Sequence, residues 1–397
     1  MTAITYAVTI AGTSYSSSTI QNGSITYGRQ RVLDNFTPAM AYLQLLNPVT
    51  PWSVGDSVTV TGNSVTRFDG RITSLSMDQN VTTVTAVSEG LGYLAGQYCP
   101  TFTIDASPFS LYPYITPGLA TAMYEANVLT YVQAVILVGV GTASMANGKS
   151  ISCDYSEADT TFGPGISGSY QFGSTNLLET MTTVAANSSF PLLYEDPAAN
   201  VYFSAPSSRS GTTTSFPLTT SYVVRASASQ QNVQSLLNRA TITYTSGTRR
   251  VTDLDSVSTY GRRDYAVTTQ ITDVDDAALK ASRIVGSYSN PYWQTNPITV
   301  LANNLTAGHT TNLLAAKAGT LLDTSALAAY YPGMENQSYI EGWVERFTRN
   351  TSTFDLYLSP WSMTRKPESW QEVTASLQWN SAAIVGLDWL DLITQDI

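Results

Sequence analysis

The strongest constraint on the fold of this chain is the run of short alternating segments that opens it. Ile4, Tyr6, Val8 and Ile10 are apolar at every second position, a spacing that turns one face of a strand to a core and the other to water. Comparable segments follow at 24–29, 42–46, 56–61 (DSVTVT), 68–77 (FDGRITSLSM) and 81–88 (VTTVTAVS), with polar turns such as Asp78-Gln79-Asn80 between them. Six strands joined by short turns predict a small antiparallel β-barrel over residues 1–95. No helical period of convincing length interrupts them.

The residue inventory agrees with strands. The chain has 54 Thr, 45 Ser and 24 Tyr among 397 residues. Thr and Tyr favour pleated, half-buried surfaces, whereas Lys and Glu dress exposed helices. Only 12% of residues are charged, and 19 Lys and Arg against 29 Asp and Glu leave a net charge of −10. With 4 Lys, 15 Arg and a pI near 4.6, no basic surface for specific nucleic-acid recognition is expected. Cys99 and Cys153 are too few for a disulfide scaffold or a thiolate metal site, and a single bridge or two free thiols both remain open. The opening MTAITYAVTIAG has no basic start and no cleavage-site pattern, so no secretory signal is expected. Residues 128–146 are uncharged and long enough to span a bilayer. Gln133, Thr130 and three glycine or serine positions dilute them, and no basic flank orients them. A buried strand or helix is the better reading, with no stable membrane span.

The character of the chain changes near residue 96. Pro100, Pro108, Pro113 and Pro117 break up the next stretch. Asn176 with Glu179 resembles a reciprocal N-cap for a helix that ends near Asn187. Residues 191–203 then read as a hairpin, and 204–221 (SAPSSRSGTTTSFPLTTS) as a low-complexity loop or linker. An α+β middle domain is therefore expected over 96–230. Strands return over 231–362, with an inserted helix near 275–287 whose stripe comprises Ala278, Ala281, Ile284, Val285 and Tyr288.

This later region echoes the first. Ser24-Ile-Thr-Tyr-Gly-Arg29 is matched by Ser256-Val-Ser-Thr-Tyr-Gly-Arg262, Val54-Gly-Asp-Ser-Val58 by Ala318-Gly-Thr-Leu-Leu322, and Phe68-Asp-Gly-Arg-Ile72 by Ile340-Glu-Gly-Trp-Val344. Three matches in one order predict a duplicated barrel, the second spanning 231–362, with residues 363–397 as a C-terminal extension. The expected fold is mainly β with a few helices: two related small barrels and an α+β middle domain.

No catalytic residue, cofactor or metal site is expected. Ala143-Ser-Met-Ala-Asn-Gly148-Lys149-Ser150 resembles a phosphate-binding loop, but Ala143 stands where that loop needs glycine and no helix follows. Asp253 with Asp255, and Asp273 with Asp275 and Asp276, lack the spacing of a calcium loop; acidic residues at a helix start account for the second cluster. His309 lies in a polar stretch, Thr306-Ala-Gly-His-Thr, without a nucleophile elbow. Trp343, Trp361, Trp370, Trp379 and Trp389 crowd the C-terminal end and are the candidate interface residues. Asn-x-Ser/Thr triplets such as Asn80-Val-Thr82 are expected by chance in so Thr-rich a chain.

Taken in order, several of these features resemble one family. The short barrel with Tyr-Gly-Arg and Gly-Asp-Ser-Val-Thr-Val, then Phe-Asp-Gly-Arg-Ile and an alternating strand, is similar to the baseplate-hub proteins of phage tails. The Leu-Leu-Tyr-Glu-Asp hairpin, the second Tyr-Gly-Arg-Arg, the helix leading to Tyr288-Ser-Asn-Pro291, the Glu-Gly-Trp strand and Leu358-Ser-Pro360 are similar to the minor tail proteins of long-tailed phages infecting actinobacteria. The resemblance covers roughly 1–362. Ala318-Gly-Thr lacks the acidic residue that usually follows the glycine, and 96–170 matches nothing in the pattern.

The resemblance implies a structural protein of the virion, at the tail tip, made in the bacterial host cytoplasm, and no enzyme. It implies a homotrimer whose two barrels per chain make a six-fold pseudosymmetric ring, adapting a hexameric tail tube to a trimeric tip. Its partners would be the distal tail protein ring, the tape-measure protein, and tip or fibre proteins, with DNA passing through the lumen. The acidic surplus would then keep DNA from adhering to that lumen. A receptor- or carbohydrate-binding tail module, argued from the Tyr and Trp content, is the alternative. A cell-wall hydrolase with paired carboxyls is a third.

Overall fold

The structure, a computed structural model, describes residues 4–46, 52–96, 140–145, 147–154, 177–187, 189–204, 214–225, 229–231, 235–269, 271, 273–295, 297–331 and 334–361. The N-terminal part contains β1 (Tyr6–Ile10), β2 (Thr13–Ser16), β3 (Ile20–Gly28), β4 (Thr37–Leu46), β5 (Ser57–Gly62), β6 (Val65–Met77), β7 (Val81–Ser88) and the short helix α1 (Leu91–Gly96). The expected alternation is present: every second residue of β7 is buried. β2 escapes a hydrophobic pattern because Thr-Ser-Tyr-Ser is polar and mostly exposed.

The middle part contains β8 (Val140–Ser144), β9 (Ser150–Asp154), α2 (Leu177–Ala185), β10 (Leu192–Glu195) and β11 (Val201–Ser204), with a four-stranded sheet in the order β10-β11-β9-β8. The expected helix and hairpin are both there. Most of residues 96–170 and most of the apolar run 128–146 lie outside the described residues. Among the described residues no helix is long and apolar enough to cross a membrane.

Next come β12 (Thr214–Pro217), β13 (Val223–Arg225), β14 (Ser229–Gln231), β15 (Arg239–Tyr244), β16 (Gly247–Thr252), α3 (Leu254–Tyr260), β17 (Asp264–Thr268), α4 (Val274–Tyr288), β18 (Trp293–Thr295), β19 (Ile298–Leu301), α5 (Ala307–Ala315), β20 (Leu321–Asp323), α6 (Ser325–Ala328), β21 (Gln337–Thr348) and β22 (Ser352–Pro360). Two expectations need correction here. The stretch read as linker carries β12, which pairs in parallel with β20. The second Tyr-Gly-Arg is no strand: Tyr260 closes α3 and Gly261 is its C-cap.

The inserted helix is more than an insertion. α4 packs on a three-stranded sheet, β16-β15-β17, and together they enclose a separate core of Ala240, Ile242, Val251, Ile271, Ala277, Ala281, Ile284 and Val285. Ala281, Ile284, Val285 and Tyr288 are buried as expected, and Ala277 rather than Ala278 completes the stripe.

Strands of both expected barrels join one large antiparallel sheet. Its main path runs β13-β19-β22-β21-β3-β4-β7-β6-β5-β1-β2, with β12 and β20 off the path. The two parts of the chain meet where β21 lies against β3, from Thr348 opposite Asn22 to Gly342 opposite Gly28. Close approach explains both glycines. Gly28 has φ +74°, and a Cβ there would sit 2.7 Å from the Gly342 Cα; a Cβ on Gly342 would sit 2.7 Å from the Arg29 carbonyl oxygen. The principal core runs across the junction, from Val8, Leu43 and Val60 to Trp343, Phe347, Phe354 and Leu356.

Candidate functional site

Chemistry-bearing residues gather at this junction, all of them buried. On β21, Glu341 and Glu345 lie four residues apart, each carboxylate facing an arginine from the N-terminal part. Arg29 Nε donates to Glu341 Oε2 at 2.8 Å, Ser359 Oγ donates to Glu341 Oε1 at 2.6 Å, and the Arg29 guanidinium lies 4.4 Å over the Phe36 ring. Arg67 donates to Glu345 through Nη2 at 2.7 Å and Nε at 3.0 Å, and to the Leu314 carbonyl of α5 at 2.5 Å. Tyr6 OH donates to Glu345 Oε1 at 2.8 Å and meets Ser352 Oγ at 2.8 Å.

Burial works against the Arg67 charge, but Glu345 outweighs it and raises the pKa of the guanidinium. Burial, reinforced by the Glu345 carboxylate, pushes the Tyr6 phenol well above its ordinary range. Groups locked in their resting protonation states are poor proton shuttles. They serve as staples: removing one partner of such a pair strands a buried charge, at a cost of about 3–5 kcal/mol.

A third buried carboxylate lies where the middle sheet meets the barrel strands. Glu195, at the end of β10, accepts from the amides of Ala39 and Leu91, the latter at 2.6 Å. Burial raises its pKa from 4.5 to about 7, against the pull of those amides and the Ser88 hydroxyl. Its neighbour Asp196 is committed to its own turn, accepting from the amides of Ala198 and Asn200 and from Tyr202 OH. Glu195 and Asp196 are therefore structural acceptors.

The expected candidates resolve as follows. Trp343 is buried in the chain's own core, its ring 4.8 Å from that of Tyr27, so it is not on an outer surface. Trp361 is half-buried just after β22, and Trp370, Trp379 and Trp389 lie outside the described residues. The segment resembling a phosphate loop is the β8–β9 hairpin, turning at Gly148 (φ +80°), and Lys149 pairs with Asp69. Asp253 and Asp273 cap α3 and α4 by accepting from helix amides. His309 lies in the first turn of α5, capped by Thr306, with Nδ1 3.0 Å from Tyr222 OH. Among the described residues no group of three or more His, Cys, Asp or Glu is placed to hold a metal. Glu341, Glu345 and Arg67 were not singled out in the sequence. The only signal was their charge inside an otherwise apolar strand pattern, which marks a buried pair when it recurs on two strands.

Among the described residues, a sheet face is left exposed. The sheet face opposite the core presents Met40, Tyr42 and Leu46 of β4, all exposed, among Ser and Thr of β3 and β7. On β3, β4, β7, β21 and β22 the charged side chains turned to this face are Arg346 and Asp355, which pair with each other.

The arrangement of a long continuous sheet with a flanking α/β layer has counterparts. Two solved tail-protein structures are similar to the chain in overall fold. A 43 kDa tail protein of prophage MuSo2 from Shewanella oneidensis matches with a TM-score of 0.57 at 13% identity, over 91% of this chain and 100% of that one. A tail protein from Neisseria meningitidis MC58 matches with a TM-score of 0.57 at 10% identity, over 92% and 100%. At such identities the likeness is one of fold. No family model matches the chain, and no curated protein matches its sequence.

Proposed function

We propose that this chain is a structural protein of a phage tail, a baseplate hub or minor tail protein at the tail tip. The observation that supports it best is the whole-length likeness: two tail proteins are covered over 100% of their length by a chain read independently as hub-like. The chain would work as a homotrimer built from duplicated barrel units, a ring between the tail tube and the tip through which DNA passes. Its neighbours would be the distal tail protein ring, the tape-measure protein inside, and tip or fibre proteins below.

In this reading the open sheet face lines the bore. It is hydroxyl-rich and neutral, since Arg346 cancels Asp355, so the acidic lumen expected from the net charge of −10 is not what this face offers. Weak, uncharged contacts let a polyanion slide without capture. The apolar stripe of Met40, Tyr42 and Leu46 suits a tape-measure segment.

The test is direct. Antibody raised against the purified chain should label one end of the tail in phage particles, and mass spectrometry should find the chain in them. Particles that lack the chain would contradict the proposal.

A further inference from the structure

The large sheet repeats itself in its hydrogen bonds. The β6–β7 pair skips a residue between Ile72 and Ser74, and β21–β22 skips one between Ile340 and Gly342. Ile72 exchanges backbone bonds with Gly55 and Asp56 at 2.8 and 2.9 Å, and Ile340 does the same with Gly319 and Thr320 at 2.7 and 2.9 Å; both glycines have positive φ. β3–β4 shifts between Ile20 and Asn22, and β13–β19 between Val223 and Arg225. The pair Thr26–Met40 then corresponds to Ser229–Thr295 of β14–β18. Two four-stranded units emerge, β3-β4-β7-β6 and β13/β14-β18/β19-β22-β21, set side by side in one direction.

Inside the chain, β21 of the second unit is joined to β3 of the first. The counterparts of these two strands, the C-terminal half of β6 and the edge of β13 and β14, have no strand against them among the described residues. The side chains register the gap. Trp343 and Glu345 are buried, whereas Leu75 and Met77 hold the same places on β6, and Met77 is 56% exposed. Edge strands normally carry charge or proline to prevent pairing, yet Thr73-Ser-Leu-Ser-Met77 and Ser229-Gln-Gln231 carry neither.

We propose that these two edges join successive copies of this chain, β6 of one against β14 of the next, in the register that β21 and β3 use within it. Leu75 then lies opposite Gln230, and Ser76 opposite Ser229. Repetition of a head-to-tail contact closes a ring or continues as a filament. Gly28 and Gly342 have no glycine counterparts in Ser74 and Gln231, so the ladder ends there. The proposal rests on the duplicated-unit reading above and adds to it which edges meet and in which register.

Gly28 faces Gly342 across a pair without direct backbone bonds, since the amide beyond it, Arg29, bonds the Glu341 carbonyl. Alternation places Thr26–Val344, and hence Ser76–Ser229, in the same class, where side chains stand closest and a disulfide fits. In the full chain with Cys99→Ser and Cys153→Ser as background, the pair Ser76→Cys and Ser229→Cys, oxidised at high concentration, should shift most of the mass from the monomer band to covalent multimers under denaturing, non-reducing conditions. Either single variant alone should stay monomeric, and the two singles mixed should yield a dimer and nothing larger. The displaced pair Ser74→Cys with Ser229→Cys should cross-link at least tenfold less.

Multimers in light scattering with no covalent product from the double variant would overturn the register while leaving a tail role standing. Equal cross-linking by the single variants would overturn the head-to-tail arrangement. A chain monomeric at every concentration would overturn the joining of copies through these edges. The tail role itself is read separately, from the presence of the chain in particles.

Discussion

Single side chains decide how the parts of this molecule hold together, and Glu195 is the most sensitive of them. Burial is the main cause that pushes its folded pKa up from the ordinary 4.5 to about 7. The folded state therefore holds this proton more tightly than the unfolded chain. The associated stability is fully present below about pH 4.5 and is lost as pH rises through about 7, a difference of about 3 kcal/mol. Glu195→Gln removes that dependence. Thermal melts of wild type and variant at pH 5 and pH 8 should show the variant gaining on the wild type by several degrees at the higher pH. A gap that does not change with pH would mean that Glu195 is ionised throughout. Little of this was legible beforehand: Leu192–Glu195 reads as an ordinary hairpin strand, and only the packing of Ala39, Ser88 and Leu91 around it makes its carboxyl unusual.

At the scale of elements, the two parts of the large sheet match in backbone hydrogen bonds where their side chains do not. The strands of the first 95 residues were readable because one of their faces is buried throughout, and α4 because its stripe and acidic cap are local signals. The match of Gly55 with Gly319 in the sequence is also a match in geometry: each has a positive φ and its amide bonds the isoleucine at a bulge. The other echoes mislead. Tyr260-Gly261-Arg262 ends a helix, and the hydrogen bonds set Ile340 level with Ile72, four residues from the alignment suggested by Asp-Gly-Arg and Glu-Gly-Trp. Bulges and ladders are made by backbone atoms, which any sequence can supply, so their positions can match without a readable motif. Gly342 tests the junction at this scale. Gly342→Ala pushes a Cβ against the Tyr27 and Arg29 carbonyls and should destabilise the chain by about 2–3 kcal/mol in denaturant unfolding. A loss below about 0.5 kcal/mol would show that β3 and β21 are free to part.

For the whole molecule, the mainly β class followed from composition, but the union of both barrel regions into one sheet did not. Nothing local in β3 or β21 announces that they pair across more than three hundred residues of chain. The buried Arg29–Glu341 and Arg67–Glu345 pairs tie the two parts together, since removing either partner would strand a buried charge. The role proposed for the whole chain rests on edges that have no strand against them among the described residues, on an open face whose Arg346 and Asp355 pair, and on a fold likeness to two tail proteins. Under the proposal the chain is a part continued by further copies. The proposed ring is an oligomer of defined size, and the mass of the purified native chain by light scattering tests it most directly. The account predicts a ring of three copies of the 42.8 kDa chain. A particle of one copy at all concentrations would contradict it.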